Sequence, residues 1–367
     1  HLPHAVIAAE DARFYEHSGV DWLGMRKAAE DNWERGRVWR GGSTITQQLV
    51  KNLFLTPERT LSRKVREAAM ALVLDALYDK DEILGVYLNA IYLGQRGAMG
   101  VYGVGEAARY YFGKPVEDLS LGEFTRVMLA MTAWVSPEEG CTYCHAADNL
   151  ADDSKYQKVV SRRMLEMTRH INSTWTDHVK QTGVTCYTCH RGKAVPQNIW
   201  FSKPGQRVAP GMARTRVQQN IADADVGYTA LPYDPFNVFL RDKPENILVV
   251  SPTALPAGST RNIKQTEATY GLMMHMSQGL GVNCTHCHNS RSFKQWDQST
   301  PQRAQAWYGI RLARDLNVNY LEPLKATFPA NRLGPLGDVP KLNCTTCHQG
   351  VNKPLQGVSM LADYPEL

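Results

Sequence analysis

The stretch SLGEFTRVMLAMTAWVSPEEGCTYCH (residues 120–145) closes on a C-x-x-C-H unit, and the reading of the whole chain follows from that unit. It occurs four times, as CTYCH (141–145), CYTCH (186–190), CTHCH (284–288) and CTTCH (344–348), and together the copies use all 8 cysteines of the chain. Two thiols at this spacing can form thioethers to both vinyl groups of one porphyrin, with the adjoining His placed to reach the iron. A disulfide framework would not set a His after every second cysteine. A zinc site would close C-x-x-C pairs on one metal and leave the histidines idle. A thioredoxin-like redox motif has no reason to occur four times with a His following each. The sequence therefore predicts four covalently bound haem c groups. They are held by Cys141 and Cys144, Cys186 and Cys189, Cys284 and Cys287, and Cys344 and Cys347, with His145, His190, His288 and His348 on the irons. Such attachment is made outside the cytoplasmic membrane, so a periplasmic protein, or one on the outer face of that membrane, is expected.

The identity of each sixth ligand sets the potential of its haem. An internal repeat helps to locate these ligands. EMTRHINSTW (166–175) and RLARDLNVNY (311–320) align at an offset of 145, which places Asn172 on Asn317 and carries Met128 onto Met273. Units one and two therefore read as duplicated in units three and four. Helical patterns cover 121–134, 153–171 (opened by Asp152 or Asp153 as a cap) and 266–280. They present Met128, Met164 and Met273 as sixth ligands, with Met131, Met167 and Met274 close enough to compete. The alternative is that these methionines only fill the core. In the fourth unit the position equivalent to Met164 is Gly309. That haem must be five-coordinate or borrow a ligand from afar, and His170, His178, His275 and His286 are the unassigned histidines. His178, in a loop, is best placed to leave its own unit. A bis-histidine haem has a lower potential than a His/Met haem, so the chain reads as a conductor of electrons.

The formal charge is +5, distributed as 15 Lys+Arg against 17 Asp+Glu in residues 1–124 and 26 against 19 beyond. No run of Lys or Arg exceeds two, which argues against a nucleic-acid partner; the surplus suits anionic haem propionates. No apolar stretch is long enough to span a bilayer. Opening on His1 leaves room for a removed leader or anchor.

From about Leu119 to Leu367 the sequence resembles the tetrahaem cytochrome subunit of bacterial photosynthetic reaction centres. The resemblance is carried by EFTRVMLAMTAWVSPEEGCTYCH, YQKVVSRRMLEMTRHINSTWTDHVKQTGVTCYTCHRG, GVNCTHCHNSRSF and CTTCHQGVNKPL. It implies Met128, Met164 and Met273 as sixth ligands to haems one to three and His178 to haem four. It also implies a subunit that caps the reaction centre and re-reduces its photo-oxidised bacteriochlorophyll pair. Electrons would come from a small soluble cytochrome c or a high-potential iron–sulfur protein. In that family the N-terminus commonly carries a lipid-modified cysteine; here every cysteine is committed to haem.

Residues 1–118 carry other chemistry. EDARFYEHSGVD (10–21) sets acids beside aromatics, and GGSTITQQLVKN (41–52) is glycine-led and rich in hydroxyls and amides as it enters a helix. RKVREAAMALVLD (63–75) reads as an amphipathic helix bearing Glu67; DEILGVYLNAIYLG and GVGEAARYYFGK read as helical. Together they resemble the peptidoglycan transglycosylase domain of penicillin-binding proteins, truncated at both ends. That resemblance implies Glu10 as general base on the acceptor sugar and Glu67, with Lys64, on the donor pyrophosphate.

The expected fold is mainly α: a lysozyme-like helical region (1–118), then a multihaem cytochrome c domain (119–367). Its two pseudo-symmetric dihaem halves are about 119–205 and 237–367, joined by a linker at 206–236, with short strands near NILVVSP. The expected function is electron transfer without bond-making catalysis. The alternatives are a glycosyltransferase fused to a cytochrome, and an N-terminal region that is an inert docking scaffold.

Overall fold

A computed structural model describes residues 2–27, 42–55, 60–96, 99–118, 121–146, 150, 152–204, 223–229, 231, 234–241, 249 and 261–367. Contacts group the chain into two compact units, 1–162 with Glu366, and 163–365 with Leu367.

The first unit opens with α1 (Leu2–Glu10), α2 (Ile45–Phe54), α3 (Leu61–Leu77) and α4 (Lys80–Ala90). Capping boxes start two of these, Thr44 with Gln47 at α2 and Asp79 with Glu82 at α4, each satisfying backbone N–H groups that a first turn leaves unpaired. Phe14, Ile45, Leu49, Ile83, Leu84 and Tyr87 form their shared core. The expected helix through IYLG ends instead at Ala90. Tyr92–Arg96 (β1) pairs antiparallel with Met99–Tyr102 (β2), with an irregularity between Tyr92 and Gly94. Gly94 sits at φ +141°, where a side chain would strike the Tyr111 hydroxyl, so the segment cannot continue as helix. Two more helices follow, α5 (Val104–Phe112) and α6 (Leu121–Val135), the latter on its expected span. A 3₁₀ turn at Gly140–Tyr143 then carries the first C-x-x-C-H unit.

The next helix, α7, runs Tyr156–Thr174 and begins three residues later than its pattern suggested. Neither expected cap serves. Asp152 accepts from Ser154 N within a local turn, and Asp153 is taken by Arg162 in a two-pronged pair of 2.6 and 2.7 Å.

The second unit contains the rest of α7, α8 (Thr176–Val179), α9 (Cys186–His190), α10 (Phe236–Phe239), α11 (Ile263–Leu280), α12 (Pro301–Leu316) and α13 (Cys344–His348). Ile199–Trp200 (β3) pairs antiparallel with Lys341–Leu342 (β4). One core of Trp200, Phe236, Phe239, Leu240, Leu272, Met276, Ile310, Leu316 and their neighbours joins α7, α11 and α12. Fully burying each such side chain contributes roughly 1.5–3 kcal/mol. Most of the linker at 206–236, and most of NILVVSP, lie outside the described residues.

Candidate functional site

The four C-x-x-C-H units fall into two local geometries. The second and fourth lie on the short helices α9 and α13, while the first and third lie on 3₁₀ turns, Gly140–Tyr143 and Cys284–His286. After His190 and His348 the backbone turns left-handed at Arg191 and Gln349, both at φ +51°, and again at Gly192 and Gly350. That reversal brings a carbonyl three residues on back to the imidazole. His190 Nδ1 lies 2.8 Å from Lys193 O, and His348 Nδ1 lies 3.0 Å from Val351 O. In the other geometry the carbonyl comes from five residues on: Leu150 O is 2.8 Å from His145 Nδ1, and Phe293 O is 3.1 Å from His288 Nδ1. A carbonyl only accepts, so Nδ1 carries the proton in all four and Nε2 keeps its lone pair for a metal. Burial lowers the proton affinity of each ring, and His348 falls to about 4.

His178 shares this arrangement. Its Nδ1 lies 2.9 Å from Gln305 O on α12, and its ring centre lies 6.0 Å from that of His348. Both rings open on one cavity, so His178 and His348 would be the residues to hold a metal group bound there. Gly309 makes the approach possible, because a Cβ there would come within 2.6 Å of His178 Cε1. A cavity of about 530 Å³ contains both rings together with Cys344 and Cys347, and it extends to His286 and Cys287 of the third unit. That volume falls within the range of cofactor sites. The short helices α9 and α13 pack together, bringing the second and fourth units side by side. No cysteine forms a disulfide. Paired thiols, ligand-ready histidines and a shaped cavity fit covalent haem.

The methionine helices share a pattern that the pairwise repeat did not bring out: Met-x-x-Met followed by Thr or Ser, at 128–132, 164–168 and 273–277. Each hydroxyl sits one turn beyond the first Met. Thr132 and Thr168 donate back to the carbonyl of that Met at 3.0 and 2.9 Å, Thr132 Oγ1 also lies 4.0 Å from Cys141 Sγ, and Ser277 donates to Val282 O just ahead of Cys284. In α11 the second Met of the pattern, Met276, is in the core, Met273 is partly buried against that core, and Met274 faces the turn at Gly227. The fourth helix reads Gly309, Leu312, Ala313 at these positions.

The repeat's shared asparagines have one structural role. Asn172 donates to Val184 O (2.9 Å) and accepts from Val184 N (2.8 Å); Asn317 does the same to Leu342 at 2.9 and 2.9 Å. Val184 and Leu342 each precede their haem cysteine by two residues, so one device sets the entry to both α9 and α13. The remaining histidines go elsewhere. His170 pairs with Asp315 at 2.6 Å, and His275 is buried against Phe236. His286 lines the cavity as the middle residue of its own motif.

The chain matches the family described as Photosynthetic reaction centre cytochrome C subunit over residues 104–367. It belongs to that family. The photosynthetic reaction center cytochrome c subunit of Rubrivivax gelatinosus is 60% identical over 255 residues, covering 69% of each chain. That of Thermochromatium tepidum is 52% identical over 252 residues, covering 69% of this chain and 62% of its own. Covalently bound haem c goes with this membership.

Residues 1–164 match the Transglycosylase family, overlapping the cytochrome match between 104 and 164, the stretch that contains α6 and the first haem unit. Penicillin-binding protein 1A of Escherichia coli is 55% identical over 119 residues, which is 32% of this chain and 14% of its own length. In this region Glu10 accepts from Gln48 Nε2 at 3.1 Å, and Gln48 Oε1 accepts from the Tyr87 hydroxyl at 3.1 Å. Burial, with the charges of Glu10 and Asp11, raises the Tyr87 pKa well above its usual range. Glu67 is buried and holds Arg63 at 2.6 Å and also Lys64, whose Nζ donates to Ser43 Oγ at 2.7 Å. Glu10 thus stands among hydrogen-bonding side chains, while Glu67 is matched by two cations that a diphosphate would also attract. Among the described residues no helix is long and apolar enough to cross a membrane.

Proposed function

We propose that this chain transfers electrons in the periplasm through four covalently bound haem c groups, re-reducing the photo-oxidised bacteriochlorophyll pair of a reaction centre. In this reading a small soluble carrier supplies the electrons, and the chain docks on the reaction centre's membrane subunits. The observation that carries it is the facing pair His178 and His348 across the cavity beside Cys344 and Cys347.

Haem, once attached, supplies a one-electron centre; the chain sets its potential. His145, His190, His288 and His348 present Nε2 because a carbonyl holds Nδ1. Met128, Met164 and Met273 are the proposed sixth ligands at the first three sites, and His178 at the fourth. The harder imidazole at the fourth favours the ferric state, so that site has the lowest potential. The packing of α9 against α13, and a cavity reaching from His348 to Cys287, support an order in which the fourth site lies between the second and third. The two haem-unit geometries, alternating along the chain, and the paired asparagine clamps support two pseudo-symmetric dihaem halves.

A redox titration of the purified protein tests this reading. Four separable one-electron steps are expected, the lowest of which rises in His178→Met. A lowest step unmoved by that change would remove His178 from the iron.

Residues 1–118 invite a second reading, peptidoglycan glycosyl transfer with Glu10 as base, favoured by the family match and the Glu10–Gln48–Tyr87 cluster. Our proposal assigns the chain no bond-making step. Polymerisation of a lipid-linked disaccharide that is lost in Glu10→Gln would overturn that.

A further inference from the structure

We propose that Lys158 raises the reduction potential of the haem attached at Cys141 and Cys144, acting through the carbonyl it shares with His145. The inference rests on the haem reading above. Leu150 O accepts two hydrogen bonds, from His145 Nδ1 at 2.8 Å and from Lys158 Nζ at 2.7 Å. Lys158 is buried, at 8% exposure, and also donates to Asp152 O at 3.2 Å.

The sign follows from the chemistry of the shared oxygen. A strong acceptor on Nδ1–H pushes negative charge into the imidazole, strengthens its donation at Nε2 and favours the ferric state. An ammonium group on the same oxygen draws that density away. The acceptor weakens, the ring donates less, and the ferrous state gains. A buried cation near the iron acts in the same direction through its field, because the reduced site carries one positive charge fewer and interactions are stronger away from water.

The neighbours offset the field but leave the shared bond. Asp153 lies 3.1 Å from Lys158 Nζ and is held by Arg162 with two bonds, and Glu10 also acts on Lys158, so these four charges sum to zero and the hydrogen bond to Leu150 O carries the effect. Lys155 is a further cation beside the motif, donating to Thr142 O. The offset of 145 carries Lys158 onto Arg303. That side chain donates to Gln295 O at 2.8 Å, not to Phe293 O, the carbonyl that holds His288. Sharing of the histidine's own acceptor thus distinguishes the first site from the third.

Lys158→Gln keeps a donor and removes the charge; Lys158→Arg keeps both. Haem content by pyridine haemochrome and a redox titration, run on the full protein, give the test. We expect four haems in both variants. In Lys158→Gln one midpoint falls by the equivalent of about a three- to tenfold change in equilibrium, at most about 59 mV for one electron. The His145 ring N–H resonance shifts as its hydrogen bond strengthens, and Lys158→Arg restores both signals. Four haems with every midpoint unmoved in Lys158→Gln would overturn the proposal, as would several midpoints falling together. A parent protein without haem on residues 141–145 would instead overturn the reading on which it stands.

Discussion

Position 309 shows how one residue decides the chemistry of a site. Where the repeat elsewhere has a methionine that we propose as a ligand, glycine leaves room for His178, and an added Cβ would collide with that ring. Gly309→Ala should therefore displace His178. The lowest midpoint would rise and a high-spin signature would appear in the optical and EPR spectra, whereas an unchanged low-spin spectrum would show that His178 is held some other way. At the second site the expected change is opposite. Met164→His exchanges a thioether for an imidazole and should lower one midpoint markedly while leaving the other three in place; four unmoved midpoints would remove Met164 from the iron. The eight cysteines and four C-x-x-C-H histidines are legible in sequence because covalent attachment imposes fixed spacing. The carbonyl that orients each histidine is not legible, since its distance along the chain depends on whether the motif sits on an α-helix or a 3₁₀ turn. Lys158 reaches Leu150 O only after the chain has folded.

At the scale of elements, the duplicated helices do more than present ligands. Asn317 is fully buried and makes three hydrogen bonds, to Leu342 N, Leu342 O and Leu240 O. Removing it strands those backbone groups away from water, so Asn317→Ala should cost about 2–4 kcal/mol. Denaturant unfolding of the haem-loaded protein would show the loss, and a midpoint concentration equal to that of the parent would contradict the clamp. The same repeat sets His170 of α7 opposite Asp315 of α12. Burial alone would raise the Asp315 pKa, but hydrogen bonds from Asn319, His170 and Trp175 outweigh it and leave the value below the usual carboxylate range. A depressed carboxylate stabilises the fold above its ordinary pKa of about 3.9, and that stability is lost as pH falls through the folded value. Asp315→Asn should therefore flatten the acid limb of the stability–pH profile: the variant is less stable than the parent at neutral pH, and the difference closes as pH falls below about 3.9. The sequence offset identified the equivalence of Asn172 and Asn317, but periodicity alone could not show what those side chains grip. It also misplaced the start of α7, because Asp153 spends its carboxylate on Arg162 and Lys158 rather than on a helix N-terminus. The hairpin at 92–102 was hidden for a similar reason: helical spacing continues through IYLG, and only the close approach of Gly94 to Tyr111 ends it.

Over the whole molecule, one chain carries a transglycosylase match over residues 1–164 and a reaction-centre cytochrome match over 104–367, the two sharing residues 104–164. Electron transfer goes with the second. Pyridine haemochrome should give four haems per polypeptide, and replacing any one Cys pair by Ser should remove one of them. The most direct test of the central claim is a flash experiment on the chain bound to its reaction centre. A single flash should oxidise the pair, and the pair should then recover as a haem α-band bleaches with matching kinetics. A pair that stays oxidised while all four haems remain reduced would contradict electron transfer by this chain.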